Sequence, residues 1–112
     1  MRIAIPLTGG KLSSHFGHCE RFALVDVDAA SRRILGQEVV EAPPHQPGLL
    51  PAWLAQRSAT VILAGGMGQR ARDLFTEQGI QVVVGVPSET PELLVAQYLA
   101  GTLQAGENVC DH

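Results

Sequence analysis

Residues 60–68 read TVILAGGMG, and this stretch decides the fold class that the sequence predicts. Residues 60–64 form a near-continuous apolar run, which is the pattern of a strand covered on both of its faces. Glycines follow at once, and residues 69–78 (QRARDLFTEQ) carry their apolar side chains on one helical stripe. A buried strand, a glycine turn and an amphipathic helix in this order predict an α/β domain.

The chain after this unit repeats the alternation of strand and helix. Residues 80–86 (IQVVVGV) predict a second buried strand. Thr90 is suited to cap the next helix and Pro91 to occupy its first position, with residues 92–100 (ELLVAQYLA) completing it. The tail, residues 101–112, has no periodicity.

The chain before this unit is β-rich. Strands are predicted over residues 2–7 (RIAIPL), 21–28 (RFALVDVD) and 34–41 (ILGQEVVE), and the short polar link between the last two predicts a hairpin. Three prolines in residues 42–48 (APPHQPG) then break the pattern, and a helix is predicted from Leu49.

The order of these elements predicts the topology. The first three strands form a meander, and helical crossovers make the fourth and fifth strands parallel to strand 1 or to each other. We therefore predict one domain over residues 1–112, an α/β fold in which helices flank a five-stranded mixed sheet.

Composition excludes several classes of function. The formal net charge is −3 and aromatic residues are 4% of the chain, so neither nucleic acid nor base stacking is favoured as a binding partner. No apolar stretch reaches transmembrane length and no signal sequence is evident, so we expect a cytoplasmic protein that does not bind membranes. Two cysteines are too few for a disulfide scaffold, and both should be thiols.

Two loops carry side chains that bind transition metals. Residues 13–22 (SSHFGHCERF) hold His15, His18 and Cys19 directly after strand 1, and His45 lies in the proline-rich loop after strand 3. The alternative for each loop is a polar segment whose histidines only face water.

A glycine loop and the C-terminus add two further candidates. Gly65, Gly66, Met67 and Gly68 follow the fourth strand, where backbone amides could bind an anion, but the pattern also fits a tight turn with Met67 filling a gap. Cys110 and His112 stand two residues apart in the tail, either as a thiolate and imidazole pair or as frayed terminal residues.

The predicted topology brings three of these four candidates together. Strand 3 runs antiparallel to strand 2 and therefore parallel to strand 1, so the loops after strands 1, 3 and 4 should open on one edge of the sheet. Ligands collect at the carboxyl ends of parallel strands in open α/β sheets.

Several segments, in their order and spacing, resemble the dinitrogenase iron–molybdenum cofactor biosynthesis family. They are SSHFGHCERFALVDVD, PPHQPGLLPAWL, VILAGGMGQRARDLF, GIQVVVGV and ENVCDH, and the resemblance extends to the last residue. It implies a ribonuclease H-like fold with sheet order 3-2-1-4-5, which agrees with the strand order predicted above.

The resemblance also implies a function and its residues. Family members bind or carry an iron–sulfur or iron–molybdenum cluster or its precursors, which the protein need not retain on purification. The family motifs fall on His15, His18 and Cys19, on the loop of Gly65, Gly66, Met67 and Gly68, and on Cys110 and His112. We therefore expect a carrier without catalysis of its own, with cluster donor and acceptor proteins as partners, and a site that is open, completed by histidines or shared across a homodimer.

Two other functions remain open from the residues alone. A ribonuclease H-like nuclease would need several carboxylates, for which Asp26 and Asp28 are candidates although strand 1 supplies no acid. A metal-independent module could instead bind a small anion or a partner protein through the glycine loop.

Overall fold

The computed structural model describes residues 1–13, 19–44 and 48–103 as a mixed sheet with helices on both faces. Its elements are, in chain order, β1 (Arg2–Thr8), β2 (Lys11–Leu12), β3 (Arg21–Asp28), β4 (Arg33–Glu41), α1 (Leu49–Gln56), β5 (Val61–Leu63), α2 (Gln69–Glu77), β6 (Gln81–Val83) and α3 (Pro91–Ala100). Within the described ranges, none of the helices is long and apolar enough to cross a membrane.

The main strands follow the predicted order. The sheet reads β4-β3-β1-β5-β6, with β3 antiparallel to both β1 and β4. β5 is parallel to β1, and β6 is parallel to β5. The meander, the two crossovers and the mixed character of the sheet are therefore confirmed, and β4 runs parallel to β1 because both are antiparallel to β3.

The predicted count of five strands is wrong, because the sheet contains six strands among the described residues alone. The additional strand, β2, pairs antiparallel with the end of β1. Gly9 and Gly10 connect the two strands with φ values of +62° and +84°, and positive φ at both positions is the geometry of a type I′ hairpin turn. A strand of two residues has no periodicity, so the sequence pattern predicts only a loop between residues 8 and 20. The ribonuclease H-like classification stays a prediction from the resemblance.

Alternation along the strands divides the core between the two faces of the sheet. On one face, Ile3, Ile5 and Val25 pack with side chains of α3. On the other, Phe22 and Leu24 pack with side chains of α1 and α2. β3 thus buries side chains on both of its faces, and each large apolar side chain buried in this way contributes about 1.5–3 kcal/mol.

The ends of the helices follow the predicted signals with one exception. Gly79 has a φ of +76° and follows Gln78, the C-cap residue of α2, which is the usual position and conformation of a glycine that ends a helix. Pro91 is the first residue of α3, and Thr90 precedes it. Thr90 is the N-cap residue, as predicted, although its hydroxyl makes no capping hydrogen bond. Glu92 in the first turn places a carboxylate near the positive end of the helix dipole.

One ion pair fastens the amino edge of the sheet, where the parallel strands begin. Arg2 Nε donates to Asp26 Oδ1 at 2.8 Å, and Arg2 Nη2 donates to Asp26 Oδ2 at 3.1 Å. The remaining nitrogen, Nη1, donates to the carbonyl oxygen of Arg57 at 3.0 Å. The pair therefore links β1, β3 and the end of α1, and the hydrogen bonds from Arg2 hold the pKa of Asp26 below its usual range.

Replacing Asp26 by Asn should lower the free energy of unfolding by about 1 kcal/mol at pH 7, because the charged bidentate pair is lost at a partly exposed site. The pKa of Asp26 is lower in the folded than in the unfolded protein. Its stabilising effect is therefore present above the unfolded pKa and is lost as pH falls through the folded pKa. Urea unfolding between pH 7 and pH 2 measures both effects.

Asp73→Asn provides the matched control. Asp73 is exposed on α2 and accepts a hydrogen bond from Gln69, so this change should alter the unfolding free energy by less than about 0.5 kcal/mol. A difference between wild type and Asp26→Asn that persists at low pH would contradict the role assigned to the ion pair.

Candidate functional site

The loops in which ligands were predicted, apart from the tail, begin at the carboxyl edge of the sheet. β1, β4 and β5 run in one direction, so the segments that follow them leave the sheet at the same edge. The predicted meeting of these three loops is therefore confirmed for their described ends. The roles of the individual residues stay predictions.

The loop after β2 is fixed at both ends on neighbouring residues of β1. The backbone N–H of Ser13 donates to the carbonyl of Pro6 at 2.8 Å, and that of Glu20 donates to the carbonyl of Leu7 at 2.9 Å. The segment between them therefore starts and returns at the end of β1. His15 and His18 belong to residues 14–18, which lie outside the described residues.

The loop after β4 begins beside the same point. The backbone N–H of Ala42 donates to the carbonyl of Glu20 at 3.0 Å, which brings the start of this loop next to Cys19. His45 is one of residues 45–47, also outside the described residues.

The glycine loop is tied to the segment that follows β6. The carbonyl of Gly65 accepts a hydrogen bond from the N–H of Gly85 at 3.0 Å. Gly65 and Gly66 are buried, and Met67 is 1% exposed and packs in the core under α1 and α2. The side chain of Met67 thus fills the core, and a role for it as a ligand stays a prediction.

Gly68 differs from the rest of this loop because it is exposed. Its φ of −66° and ψ of 156° are ordinary for any residue, and a Cβ atom added there would meet no heavy atom within 4 Å. Neither the backbone nor the packing therefore requires glycine at this position.

Cys19 is the one predicted thiol ligand in the described part of the chain. It is half-buried and packs against the core under α1 and α2. Burial raises the pKa of the Cys19 thiol to about 11, so in the protein without metal this side chain is a neutral thiol at pH 7. Cys110 and His112 fall within residues 104–112, outside the described residues.

The described residues supply too few further ligands for Cys19 to bind a metal ion with them. Residues 1–13, 19–44 and 48–103 contain no group of three or more His, Cys, Asp or Glu side chains that could hold a metal ion. The predicted donor set for a soft metal stays a prediction, because only Cys19 of its members lies in the described ranges; the others are His15, His18, His45, Cys110 and His112.

The structure also contains a groove that no sequence pattern predicts, on the face of the sheet that packs with α3. This α3–β4 groove, with a volume of about 670 Å³, lies between the first turn of α3 and the side of β4 that faces α3. The residues that line it include Glu20, Arg21, Gln37, Val39, Glu41 and Glu92. Glu41 at the end of β4 is a visible signal, but only the register of β3 and β4 shows that it stands directly opposite Arg21.

Comparison with known proteins identifies relatives along almost the whole chain. A family model described as Dinitrogenase iron-molybdenum cofactor matches residues 1–101, so the match ends before Cys110 and His112. The uncharacterized protein MJ0580 of Methanocaldococcus jannaschii is 30% identical over 112 residues, which cover 96% of this chain and 92% of that protein.

Two solved structures share the fold. The crystal structure of PH0822 is 32% identical, with a TM-score of 0.86 over 94% of both chains. The apo form of the orange protein from Desulfovibrio gigas is 26% identical, with a TM-score of 0.74 over 96% of this chain and 93% of that one.

The raised pKa of Cys19 predicts slow alkylation. In a Cys110→Ser variant at pH 8, iodoacetamide should react with Cys19 on the order of 100-fold more slowly in the folded protein than in urea, because only the thiolate reacts. The rate should rise about tenfold for each pH unit and level off near the pKa of about 11. A folded-state rate that already levels off below pH 9 would contradict the environment described for this thiol.

Proposed function

This chain belongs to the dinitrogenase iron-molybdenum cofactor family, and from that membership we propose that it binds and carries an iron–sulfur or molybdenum-containing cluster or its precursor, without catalysis of its own. The observation that carries the proposal is the anchoring of the loop after β2 through described residues at its two ends, Ser13 and Glu20. Both of its ends are hydrogen-bonded to adjacent residues at the end of β1, which brings Cys19 to the edge of the sheet that the glycine loop also reaches.

The chemistry of these residue types suits such a cargo. Iron–sulfur and thiomolybdate species are soft and anionic, and thiolates and imidazoles bind their metals. Backbone amides of a glycine loop can bind the sulfide or oxygen atoms without adding charge. Gly68 is compatible with this role, because it is exposed and its missing side chain leaves the backbone open to the close approach of a ligand.

A carrier must also release its cargo. Two cysteines are too few for a four-cysteine cluster site, so the proposed site is open, completed by histidines or shared by two chains.

Leu103, the last described residue, packs against the core under α3. Seven residues lead from it to Cys110, and an extended chain spans about 3.3 Å per residue. Cys110 can thus lie up to about 23 Å from Leu103. This reach is close to the two smaller dimensions of the molecule, 28 and 27 Å.

The carboxylates that a nuclease would use, Asp26 and Asp28, do not support that function. Asp26 is paired with Arg2 at the amino edge of the sheet, on the opposite side from the loops of the proposed site. Asp28 accepts a hydrogen bond from the N–H of Ala30 in the adjoining turn. Neither belongs to a group of metal-binding side chains in the described ranges.

Anaerobic reconstitution tests the proposal. Protein incubated with ferrous iron and sulfide, or with tetrathiomolybdate, should retain metal after gel filtration and show visible charge-transfer absorption. The double variant Cys19→Ser, Cys110→Ser should lose most of both, because thiolates are the ligands that these cargoes require. Metal analysis and visible spectroscopy provide the readouts.

Each single cysteine variant serves as a control for the other, and thermal unfolding of the metal-free proteins shows whether they remain folded. The carrier proposal is wrong if wild type retains no more metal than the double variant. Calorimetry with phosphate and nucleotides on the same samples would then identify a metal-independent anion-binding module.

A change at Gly68 should separate folding from cargo binding. Gly68→Ala should leave the unfolding free energy within about 1 kcal/mol of wild type, because its backbone angles suit alanine and the added methyl group meets open space. It should reduce the metal retained after reconstitution, since the methyl group occupies space at the proposed site.

Gly36→Ala is the matched control for this change. Gly36 lies in β4, and a Cβ atom there also meets nothing within 4 Å, but it lies away from the glycine loop. Its metal content should equal that of wild type. Equal metal retention by both alanine variants would remove the glycine loop from the proposed site.

A further inference from the structure

β4 is an open edge of the sheet. It has nine residues and pairs with β3 on one side, and within the described ranges no strand pairs with its other side. Its pairing with β3 is regular from Gly36 to Glu41 and is interrupted by a bulge next to Gly36. The regular part therefore offers about 20 Å of backbone N–H and C=O groups to another strand.

Apolar side chains accompany this edge. Val39 is 48% exposed on the face that forms the α3–β4 groove, and Ile34 and Leu35 are 42% and 68% exposed at the other end of the strand. The groove volume of about 670 Å³ is within the range of sites that bind ligands or side chains of a partner.

The groove is acidic. Glu20, Glu41 and Glu92 line it together with one cation, Arg21, so the charge of these four side chains sums to −2 at pH 7. Arg21 stands directly opposite Glu41 in the β3–β4 register. Glu20 is held in place because its Oε1 accepts a hydrogen bond from the N–H of Gly9 at 3.2 Å. The carboxylate of Glu92 offsets the positive end of the α3 dipole.

A second copy of this chain is a poor occupant of such an edge. Two copies would each bring a net charge of −3 and the same acidic strand. In an antiparallel pairing of two β4 strands centred on Glu38, the two Glu38 carboxylates would stand directly opposite each other. Like charges directly opposite in a sheet are destabilising. A bulge also twists an edge strand away from pairing with a regular partner over its whole length.

We propose that the regular part of β4 and the α3–β4 groove bind an extended basic segment of a partner protein, which adds a strand to the sheet beside Gly36–Glu41. Lysine or arginine side chains of this segment face Glu38 and Glu41, and an apolar side chain packs on Val39. The partner segment ends near Glu20, the neighbour of Cys19. The binding itself does not depend on cargo, although its position beside Cys19 suits a donor or acceptor in the proposed function.

NMR titration of the full-length, metal-free chain tests this proposal. The probe is the peptide acetyl-Lys-Thr-Val-Lys-Thr-Lys-amide, which should shift the amide signals of residues 36–41 and of the first turn of α3. The double variant Glu41→Gln, Glu92→Gln should bind it about fivefold more weakly, as expected for the loss of two exposed charges. Glu77→Gln, an exposed change on α2, should bind it as wild type does.

Two further peptides separate charge from backbone pairing. The same sequence with glutamate in place of lysine should not bind, and the lysine peptide with alternate amides N-methylated should lose binding because it cannot complete the ladder. The proposal is overturned if the acidic or methylated peptide binds equally well, if shifts map outside β4 and α3, or if the chain forms a dimer that protects the β4 amides from exchange. Because no metal is used, these outcomes leave the reconstitution test unaffected.

Discussion

Hydrogen bonding of β1 on both of its sides is the constraint around which this structure is built. β3 pairs with it antiparallel and β5 pairs with it parallel, and Ile3, Ala4 and Ile5 are fully buried between the helical layers. Pairing with β5 ends at Ala4, so Pro6, which has no N–H, lies beyond that ladder. The carbonyls of Pro6 and Leu7 are then acceptors for the two ends of one loop. The arrangement of the candidate site thus follows from how the central strand ends.

Much of this fold could be predicted because its elements differ strongly in periodicity. Residues 21–28 alternate between two buried faces, and the strand has the predicted bounds. Residues 61–64 are apolar throughout, as expected of a strand covered by helices, and β5 is buried at each position. The link lengths predict the meander and the parallel crossovers, since a short link favours a hairpin and a helical crossover a parallel pair, while the full strand order is what the resemblance implies.

Other features were beyond the reach of sequence patterns. β2 has two residues, too few for any periodicity, although the paired glycines before it are a hairpin signal. The absence of a capping bond at Thr90 depends on a single rotamer. The α3–β4 groove depends on how far α3 covers the sheet, which is a property of tertiary packing. Pairing Cys19 with Cys110 as ligands came from the resemblance, because spacing along a chain cannot show that two distant residues meet.

The ion pair of Arg2 and Asp26 has a consequence for how such a protein can change. It fastens the sheet at the edge opposite to the candidate site, and the two buried clusters lie between the edges. Substitutions in the loops at the carboxyl edge therefore disturb few of the contacts that hold the fold. Apart from Cys19 and Met67, which also pack in the core, the core and the candidate site use separate residues, so these loops can change without the scaffold first acquiring extra stability.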